Sequence, residues 1–310
     1  MVAAVDRVKV TGRFAPTPSG RMHLGNVFAA LLAWLSVRSR DGEMVLRMED
    51  LDTQRTSADF ARVLREDLTW LGLDYDRETP PQSQRTEAYD EAFRILEEKG
   101  LIYPCYCTRS QLHSVNAPHL SDGTYVYPGT CRHLTAEQRE AFGRKPAWRV
   151  QVPDKVWHVN DWVQGAYSLN LSTECGDMVV RRADGVYVYQ LAVTVDDGEA
   201  GVTEVVRGMD LLSSAPRQMY LQELLGYSHP DYAHVPMLLA PDGRRLSKRD
   251  RDLDLGELRK RVSPEGLIGT LAYSAGIIDV PGPISAGELA REFSWDKVKG
   301  DSIYLDASIF

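Results

Sequence analysis

The sequence lacks any long hydrophobic run. Its longest uninterrupted apolar stretch, residues 27–35, is far shorter than the roughly 20 residues that a membrane-spanning helix needs. The first residues mix charged side chains with valine and lack the pattern of a secretory signal peptide. These two absences argue against a membrane or secreted protein and predict a cytoplasmic one.

Cysteine is scarce, with four in 310 residues. A chain of this length can build a hydrophobic core without disulfides. Three of the four, Cys105, Cys107 and Cys131, lie in one short segment, and Cys175 stands apart. Clustered cysteines in a reducing compartment favour a metal site over a disulfide framework. We therefore expect a metal at the cluster and a structural role for Cys175.

Positive charge is not in excess either, because the formal net charge is −8. This argues mildly against a nucleic-acid partner, but RNA binding depends on a local basic face rather than on the total charge. Basic residues cluster at Arg181 and Arg182 and again over residues 244–251. On composition alone a solvated charged surface is the simpler interpretation. Composition leaves the partner open.

The first hundred residues alternate between strand and helix patterns. Strands are predicted over residues 9–15 and 43–48, and the apolar segment 24–37 is typical of a helix buried on most faces. Two amphipathic helices follow, the first capped by Ser57 and the second ending at Gly100. Their predicted inward-facing residues are Phe60, Val63, Leu64, Leu68 and Leu71 in the first and Tyr89, Phe93 and Leu96 in the second. This alternation predicts parallel crossover units and an α/β sheet.

Between residues 101 and 181 the helical periodicity fades, turn residues multiply and the clustered cysteines occur. We interpret this stretch as an inserted α+β subdomain. After it, strands are predicted over residues 186–192 and 202–207, a helix over 214–225, and a mostly helical tail from 263. The expected organisation is a first half of the α/β domain over 1–100, the inserted subdomain over 101–181, the second half over 182–241, and a basic loop with a helical region over 242–310.

The turn after the first strand could bind a phosphate group. The Pro-Thr-Pro-Ser-Gly turn ends at Gly20, and a buried helix begins near His23. Backbone N–H groups at a helix start attract phosphate oxygens. Gly25 has no side chain to block a nucleotide, and His23 could stabilise charge that develops on a phosphate. Taken alone, the His23-Leu24-Gly25 triplet is a weak signal, and a loop with an incidental histidine is the simpler interpretation of it.

A second candidate lies far along the chain, just after the Asp242-Gly243 turn. Here the sequence reads Arg245-Leu246-Ser247-Lys248-Arg249. A lysine on a mobile loop can neutralise a triphosphate as pyrophosphate leaves. Taken alone, this segment could equally be a solvated basic loop.

Together, the two segments resemble the two signatures of the class I aminoacyl-tRNA synthetases, in their glutamyl form. Asn26 stands where the first signature usually ends in histidine, and Arg245 stands for the first lysine of the second signature. Stretches 47–52, 193–197 and 202–208 also resemble the glutamyl and glutaminyl branch, and the resemblance covers residues 8 to 275 approximately. It implies a Rossmann-like parallel sheet with an inserted, zinc-bearing subdomain.

The resemblance also implies a set of site residues. ATP, with Mg²⁺, would be bound by Pro16, His23, Gly25, Asn26, Arg245, Leu246, Ser247 and Lys248, of which His23 and Lys248 would be catalytic. The glutamate pocket would be formed by Arg13, Phe14, Ala15, Pro16, Thr17, Glu49, Tyr189 and Arg207. In it Arg207, with Tyr189 beside it, would bind the side-chain carboxylate, and Glu49 would bind the ammonium. Glutamate carries two carboxylates and one ammonium, and the planar fork of arginine suits a carboxylate.

For the cysteine cluster, three thiolates suit a borderline cation such as zinc, which closes its structural sites with four ligands. The resemblance implies Tyr127, four residues before Cys131, as the fourth ligand. His113, His119 and His133 are chemically more ordinary alternatives. Free thiols in a turn-rich subdomain are a further alternative.

The chain ends at Phe310, a short distance after the last matching stretch. We therefore expect no anticodon-binding domain of ordinary size. This length resembles the family of truncated glutamyl-tRNA synthetase paralogues, which activates glutamate and attaches it to the queuosine base of tRNA(Asp). The resemblance implies L-glutamate, ATP and queuosine-containing tRNA(Asp) as partners of a monomeric enzyme. Three alternatives stay open: a minimal enzyme charging the 3′ end of tRNA(Glu), an inactive RNA-binding or regulatory paralogue, and a nucleotidyltransferase that makes a small metabolite.

Overall fold

The computed structural model describes residues 9–114, 126–244, 254–306 and 309. Twelve strands occur in these residues, and in chain order they are β1 (Thr11–Phe14), β2 (Glu43–Leu46), β3 (Arg77–Glu78), β4 (Ile102–Cys105), β5 (Ala147–Val150), β6 (Val156–Asp161), β7 (Gly165–Asn170), β8 (Met178–Arg181), β9 (Glu204–Gly208), β10 (Asp231–Val235), β11 (Leu238–Leu239) and β12 (Ile303–Tyr304). The α-helices of the same ranges are α1 (Leu24–Arg38), α2 (Ala58–Leu71), α3 (Thr86–Glu98), α4 (Arg109–Ser114), α5 (Ala136–Glu140), α6 (Tyr189–Glu199), α7 (Ser214–Leu225), α8 (Leu255–Leu258), α9 (Pro264–Ser274) and α10 (Ala286–Ala290). Across this described part of the chain, no helix has the length and apolar character that crossing a membrane requires.

Seven strands form the main sheet, in the order β3-β2-β1-β9-β10-β6-β7. Neighbouring strands are parallel except β6 and β7, which form an antiparallel hairpin. The predicted α/β class with a mostly parallel sheet is thereby confirmed. The chain leaves β1 towards β2 on one side and returns to pair with β1 through β9 on the other. Such a reversal of strand order opens a crevice at the carboxyl ends of the strands.

Helix α1 is buried on almost every face, as its all-round apolar sequence predicts. Its buried residues include Phe28, Leu31, Leu32 and Leu35. The helix contacts β1, β2 and β9 of the sheet and also α10 from the far end of the chain. Because both the sheet and α10 cover it, the helix needs no polar face.

Helices α2 and α3 begin and end close to where the sequence predicts. The Ser57 hydroxyl accepts a hydrogen bond from the Phe60 N–H at 3.2 Å and caps α2, as predicted. Leu64, Leu68 and Leu71 of α2 are buried, but Phe60 is 39% exposed. The prediction for Phe60 was wrong because the first turn of α2 lies outside the core that the later turns reach. In α3 the three predicted inward residues are all buried.

Residues 186–192 do not form the predicted strand. Tyr187 makes only an isolated bridge with Arg181, and helix α6 begins at Tyr189. The alternation of valine and tyrosine suits a strand locally, but α6 packs against α3 and α7 and buries Leu191, Ala192 and Val195. Tertiary burial therefore overrides the local β propensity.

Residues 101–181 contribute to two sheets. Strands β4, β5 and β8 form a separate antiparallel sheet. The β6–β7 hairpin belongs instead to the main sheet, where Asp161 pairs with Tyr232 of β10. The three clustered cysteines lie beside the smaller sheet, and β4 ends at Cys105.

The C-terminal elements return to the first half of the chain. Helix α9 contacts α2, and α10 contacts α1. Leu267, Ile268 and Leu271 of α9 lie in the same hydrophobic core cluster as α1. The tail contains helices α9 and α10, but they cover fewer than half of residues 263–306, so the prediction of a mostly helical tail was only partly right. In addition, β12 pairs in parallel with β11.

Candidate active site

A cleft of about 780 Å³ opens at the carboxyl ends of β1 and β9 and at the start of α1. All eight residues predicted for a glutamate pocket line it: Arg13, Phe14, Ala15, Pro16, Thr17, Glu49, Tyr189 and Arg207. His23, Gly25 and Asn26 line it too. The structure therefore brings the first predicted segment and the pocket residues together. Arg245, Leu246, Ser247 and Lys248 lie outside the described residues.

The start of α1 forms one wall of the cleft. His23 is the N-cap residue of the helix, and Gly25 and Asn26 belong to its first turn. A β-carbon added to Gly25 would lie 3.2 Å from two atoms of the His23 ring. The absence of a side chain at Gly25 therefore leaves room for the His23 ring beside the helix N terminus, where an anion is favoured.

A buried cluster of arginines and carboxylates lies below the cleft. Arg47 is fully buried and donates to Asp197 Oδ1 at 2.6 Å and to Glu49 Oε1 at 3.2 Å. Arg13 donates to Asp197 Oδ2 at 3.5 Å and to the Val206 carbonyl at 3.1 Å. Asp196 adds a third carboxylate near Arg47, 3.6 Å from its Nε. Both arginines of this cluster thus have a carboxylate partner, and they share Asp197.

The carboxyl groups of Glu49, which lines the cleft, and of Asp197 below it have pKa values shifted in opposite directions. Burial raises the pKa of Glu49, and Arg47 and Arg13 offset this only in part. Burial also acts against the charge of Asp197, but Arg47 and then Arg13 outweigh it and lower the pKa of that carboxyl. Asp197 is therefore a fixed anion of the scaffold, whereas Glu49 gains most from a cation that enters the cleft.

Arg207 has different partners. Its guanidinium donates from Nε to His234 Nε2 at 2.9 Å and from Nη1 to Gln218 Oε1 at 2.7 Å. Weaker contacts join Nη1 to the Tyr189 hydroxyl at 3.4 Å and Nη2 to the Leu211 carbonyl at 3.3 Å. Arg207 is only 5% exposed. In the described ranges no carboxylate forms an ion pair with it, so its charge is left for an anion in the cleft.

His234 lies behind Arg207 and is completely buried. Its Nδ1 is 2.6 Å from Asp161 Oδ2, at the end of β6. Burial lowers the pKa of His234 to about 4, because Asp161 only partly compensates and Arg207 adds to the effect. The ring is therefore neutral at physiological pH.

Asp67 joins two segments at the rim of the cleft. Its buried Oδ1 accepts from Arg21 Nη1 at 3.3 Å and from Arg259 Nη1 at 2.9 Å. Arg21 lines the cleft, and Arg259 follows α8. A bridge between His23 and Asp254 joins the same two segments. The turn before α1 is thus tied to the chain that follows the undescribed residues 245–253.

The sulfur atoms of Cys105, Cys107 and Cys131 all lie within 4.8 Å of one another. The Tyr127 hydroxyl is 3.5 Å from Cys105 Sγ and 3.9 Å from Cys107 Sγ. The four predicted ligands therefore meet at one point. His133 is not part of this cluster, and His119 and the His113 side chain lie outside the described residues. Cys175 is buried elsewhere, in the core around α3 and α6.

The chemistry of the four donors fits a cation. Burial disfavours a Cys105 thiolate, but the Arg149 guanidinium and the Tyr127 hydroxyl outweigh it and lower its pKa. Burial and the neighbouring Cys105 raise the pKa of the Cys107 thiol to about 12. Three thiolates so close together need a cation to hold them in the charged form. Arg149 Nε lies 3.2 Å from Cys105 Sγ and its guanidinium covers the Tyr127 ring.

Several residues of the site were missed by the sequence interpretation. Arg47 and Asp197 lie in stretches that resemble the synthetases, but neither was given a role. Gln218 and His234 carried no signal at all, because a lone glutamine in a helix or histidine in a strand has no motif. Only their contacts with Arg207 identify them.

A family model, curated relatives and a solved structure all match this chain, and all of them belong to the glutamyl and glutaminyl synthetases. A family model described as the catalytic domain of class I tRNA synthetases for E and Q matches residues 9–263. The chain is 45% identical to the glutamyl-Q tRNA(Asp) synthetase of Symbiobacterium thermophilum, over 96% of each chain. It is 46% identical to the protein of that name from Nitratidesulfovibrio vulgaris, over 87% of each. Among solved structures, a glutamate-tRNA synthetase from Elizabethkingia anophelis is similar with a TM-score of 0.83 and 28% identity, covering 97% of this chain and 69% of that one.

Proposed function

The chain belongs to the class I family of glutamyl- and glutaminyl-tRNA synthetases, and on that premise we propose that it activates L-glutamate with ATP and transfers the glutamyl group to the queuosine base of tRNA(Asp). The names of its relatives, which match it over almost their whole length, support this acceptor. The observation that carries the choice of amino acid is the buried Arg207, which faces the cleft without a carboxylate partner in the described residues.

The charges around the cleft complement those of glutamate. Arg207, with the Tyr189 hydroxyl beside it, would bind the side-chain carboxylate. Glu49 would bind the ammonium, which offsets the burial that raises the pKa of this carboxyl. Arg13 to Thr17 would line the rest of the pocket. The fixed charge of Asp197 keeps Arg13 and Arg47 in place without competing for the substrate.

ATP would bind at the start of α1, over Pro16, His23, Gly25 and Asn26. We propose that it enters as its magnesium complex, in which the cation neutralises phosphate charge. His23 would donate a hydrogen bond towards the α-phosphate, and Lys248 would neutralise the departing pyrophosphate. Arg245, Leu246 and Ser247 would bind ATP together with Lys248.

The reaction would have two steps. First, the α-carboxylate of glutamate attacks the α-phosphorus of ATP, the bond to the β-phosphate breaks, and glutamyl-adenylate and pyrophosphate form. Next, a hydroxyl of the queuosine cyclopentene ring attacks the acyl carbon and loses its proton, and AMP leaves. In both steps the pocket residues hold the glutamyl group in a fixed orientation, which lowers the entropic part of the barrier.

We also propose that Cys105, Cys107, Tyr127 and Cys131 hold a structural zinc ion. Three thiolates and a phenolate would fill its four positions, so the ion would have no open position for catalysis. Arg149, in contact with both Cys105 and Tyr127, would offset the negative charge of such a site. The ion would hold the β4 end to the turn at Cys131.

The test uses radiolabelled glutamate, ATP and the purified protein with two tRNA pools, one from cells that make queuosine and one from cells that cannot. We expect label only on the queuosine-containing pool, and we expect it to persist on tRNA from which the 3′-terminal adenosine was removed beforehand, a treatment that leaves the queuosine diol intact. Label on both pools that disappears when that adenosine is removed would instead identify a small glutamyl-tRNA synthetase. No label on either pool, with no glutamate-dependent pyrophosphate exchange, would identify an inactive paralogue.

A further inference from the structure

No sequence motif assigns a role to His234, yet its ring contacts Arg207 of the proposed glutamate pocket. Arg207 reaches it from β9, and Asp161 reaches it from the end of β6. The three groups form a buried row, in which the exposed fractions are 5% for Asp161, 0% for His234 and 5% for Arg207. A row of polar groups so deeply buried needs every hydrogen bond satisfied.

The protonation of the His234 ring follows from its two partners. An arginine Nε–H can only donate, so His234 Nε2 must be an acceptor and carries no proton. The single ring proton of the neutral imidazole then lies on Nδ1, where it is donated to the Asp161 carboxylate. Asp161 also accepts the backbone N–H groups of His234, Val163 and Gln164. These hydrogen bonds hold the Asp161 carboxylate in position, and the carboxylate in turn sets the orientation of the His234 ring.

The hydrogen bonds of Arg207 leave little freedom to its guanidinium. Nε–H goes to His234, both Nη1 hydrogens go to Gln218 and Tyr189, and one Nη2 hydrogen goes to Leu211. One Nη2 hydrogen is left for a ligand in the cleft. A side-chain carboxylate in the cleft would therefore be held by that hydrogen, by the charge of Arg207 and by the Tyr189 hydroxyl, rather than by a two-pronged arginine fork.

We propose that His234, oriented by Asp161, is a positioning residue that holds Arg207 for the side-chain carboxylate of glutamate through a neutral acceptor. The inference rests on the proposed function for the identity of the ligand. A carboxylate in place of the imidazole would satisfy the same Arg207 hydrogen bond, but it would neutralise the charge that the substrate needs. The imidazole supplies the acceptor without that cost.

The surroundings of His234 are consistent with a neutral ring. Asp161 faces it from β6, Arg207 from β9, and Arg13 acts on it from β1. The Tyr232 ring stacks beside it with centroids 5.9 Å apart. Two cations and one anion therefore act on a buried imidazole, and the excess of positive charge opposes its protonation.

Two conservative variants separate the acceptor from the rest of the ring. In His234→Gln, the longer side chain can place an amide oxygen near the position of Nε2, where it accepts from Arg207. In His234→Asn, the shorter amide can reach Asp161 in place of Nδ1 but leaves Arg207 Nε without an acceptor. Both remove the imidazole and both are neutral amides, so a purely structural role of the ring would affect them alike.

The kinetic test is pyrophosphate exchange, with glutamate and ATP varied separately. We expect His234→Asn to raise the glutamate KM about 10- to 100-fold, because Arg207 loses one buried hydrogen bond and is no longer held in position. The ATP KM should change less than about twofold, and His234→Gln should recover most of the glutamate affinity. The inference would be overturned if His234→Asn and His234→Gln raised the glutamate KM equally. It would also be overturned if the KM values for glutamate and ATP rose in parallel.

A second measurement does not depend on activity. In protein labelled with ¹⁵N-histidine, NMR at pH 7 should show the His234 ring neutral and protonated on Nδ1. A ring protonated on Nε2, or on both nitrogens, would overturn the inference whatever the substrate is. If the unchanged protein shows no glutamate-dependent exchange while the ring is protonated on Nδ1, the proposed function fails, and the role assigned to His234 in glutamate recognition fails with it.

Discussion

Arg47 and Arg207 are both buried arginines near the cleft, and they differ in their partners. Arg47 contacts three carboxylates, those of Glu49, Asp196 and Asp197. Arg207 has neutral partners within the described residues. A buried charge is tolerated when it is paired, and an unpaired one is found where a ligand supplies the missing partner.

The difference separates a scaffold from a binding group. The charge of Arg47 is fully used within the protein, and removing it would leave buried carboxylates without a partner. The charge of Arg207 is not used in that way, so removing it would affect the ligand more than the fold. Four experiments test this separation, ordered here from the largest expected effect to the smallest.

Replacing Arg47 should destabilise the protein most. We expect Arg47→Met to lower the free energy of unfolding by about 3–5 kcal/mol, because Asp197 and Asp196 lose a buried partner. Chemical denaturation measures this change. Arg94→Met, which removes an arginine of α3 whose ion pairs are exposed to solvent, is the matched control and should lower the free energy of unfolding far less. Equal effects of the two substitutions would show that Arg47 is not part of a scaffold.

Replacing Arg207 should instead affect substrate affinity. We expect Arg207→Ala to raise the glutamate KM in pyrophosphate exchange about 100-fold or more, since a desolvated charged contact is lost. The ATP KM should change little. The free energy of unfolding should fall by less than in Arg47→Met, because no buried carboxylate is left unpaired. Near-normal glutamate activation would refute the role of Arg207.

Acid should destabilise the protein through His234. The pKa of this ring is about 4 in the folded protein against an ordinary value of 6.5, so unfolding takes up a proton between these values. Its contribution to stability is present above pH 6.5 and is lost as the pH falls towards 4, by up to about 3 kcal/mol. Denaturation at pH 7 and at pH 4.5 measures the loss.

The variant His234→Gln isolates this contribution. Burial raises the pKa of Glu49, which gives that carboxyl the opposite pH dependence, but Glu49 is common to both proteins. The variant should therefore lose less stability on acidification than the unchanged protein. An identical acid dependence in the two proteins would mean that His234 takes up no extra proton on unfolding.

Disrupting the cysteine cluster should not change the contacts of Arg47 or the substrate binding by Arg207. We expect Cys105→Ala to lose about one equivalent of zinc, measured by metal analysis, and to loosen the smaller sheet. The glutamate KM should change less than about threefold, because Tyr127 and Arg149, the described side-chain partners of Cys105, do not line the cleft. Cys175→Ala, a buried cysteine outside the cluster, is the control and should keep its metal. Unchanged metal content in Cys105→Ala would contradict the zinc site.

Much of the fold could be predicted from local patterns. The all-round apolar sequence of α1, the Ser57 cap of α2 and the inward residues of α3 are local features, and each has the predicted structure. The family resemblance was confirmed by the match over residues 9–263. The wrong predictions also came from local patterns. Residues 186–192 have a strand-like alternation, and only the packing of α6 between α3 and α7 makes the later part a helix.

The sequence by itself determined the chemistry that is available at the cleft: the turn before α1, the arginines, Glu49 and the clustered cysteines. It could do so because a motif records residue types and spacing. Only the tertiary structure decided what each charge is used for. Asp197 reaches Arg47 across 150 residues, and His234 reaches Arg207 from a neighbouring strand. Whether a buried arginine is paired depends on partners from distant elements, and no local pattern contains that information.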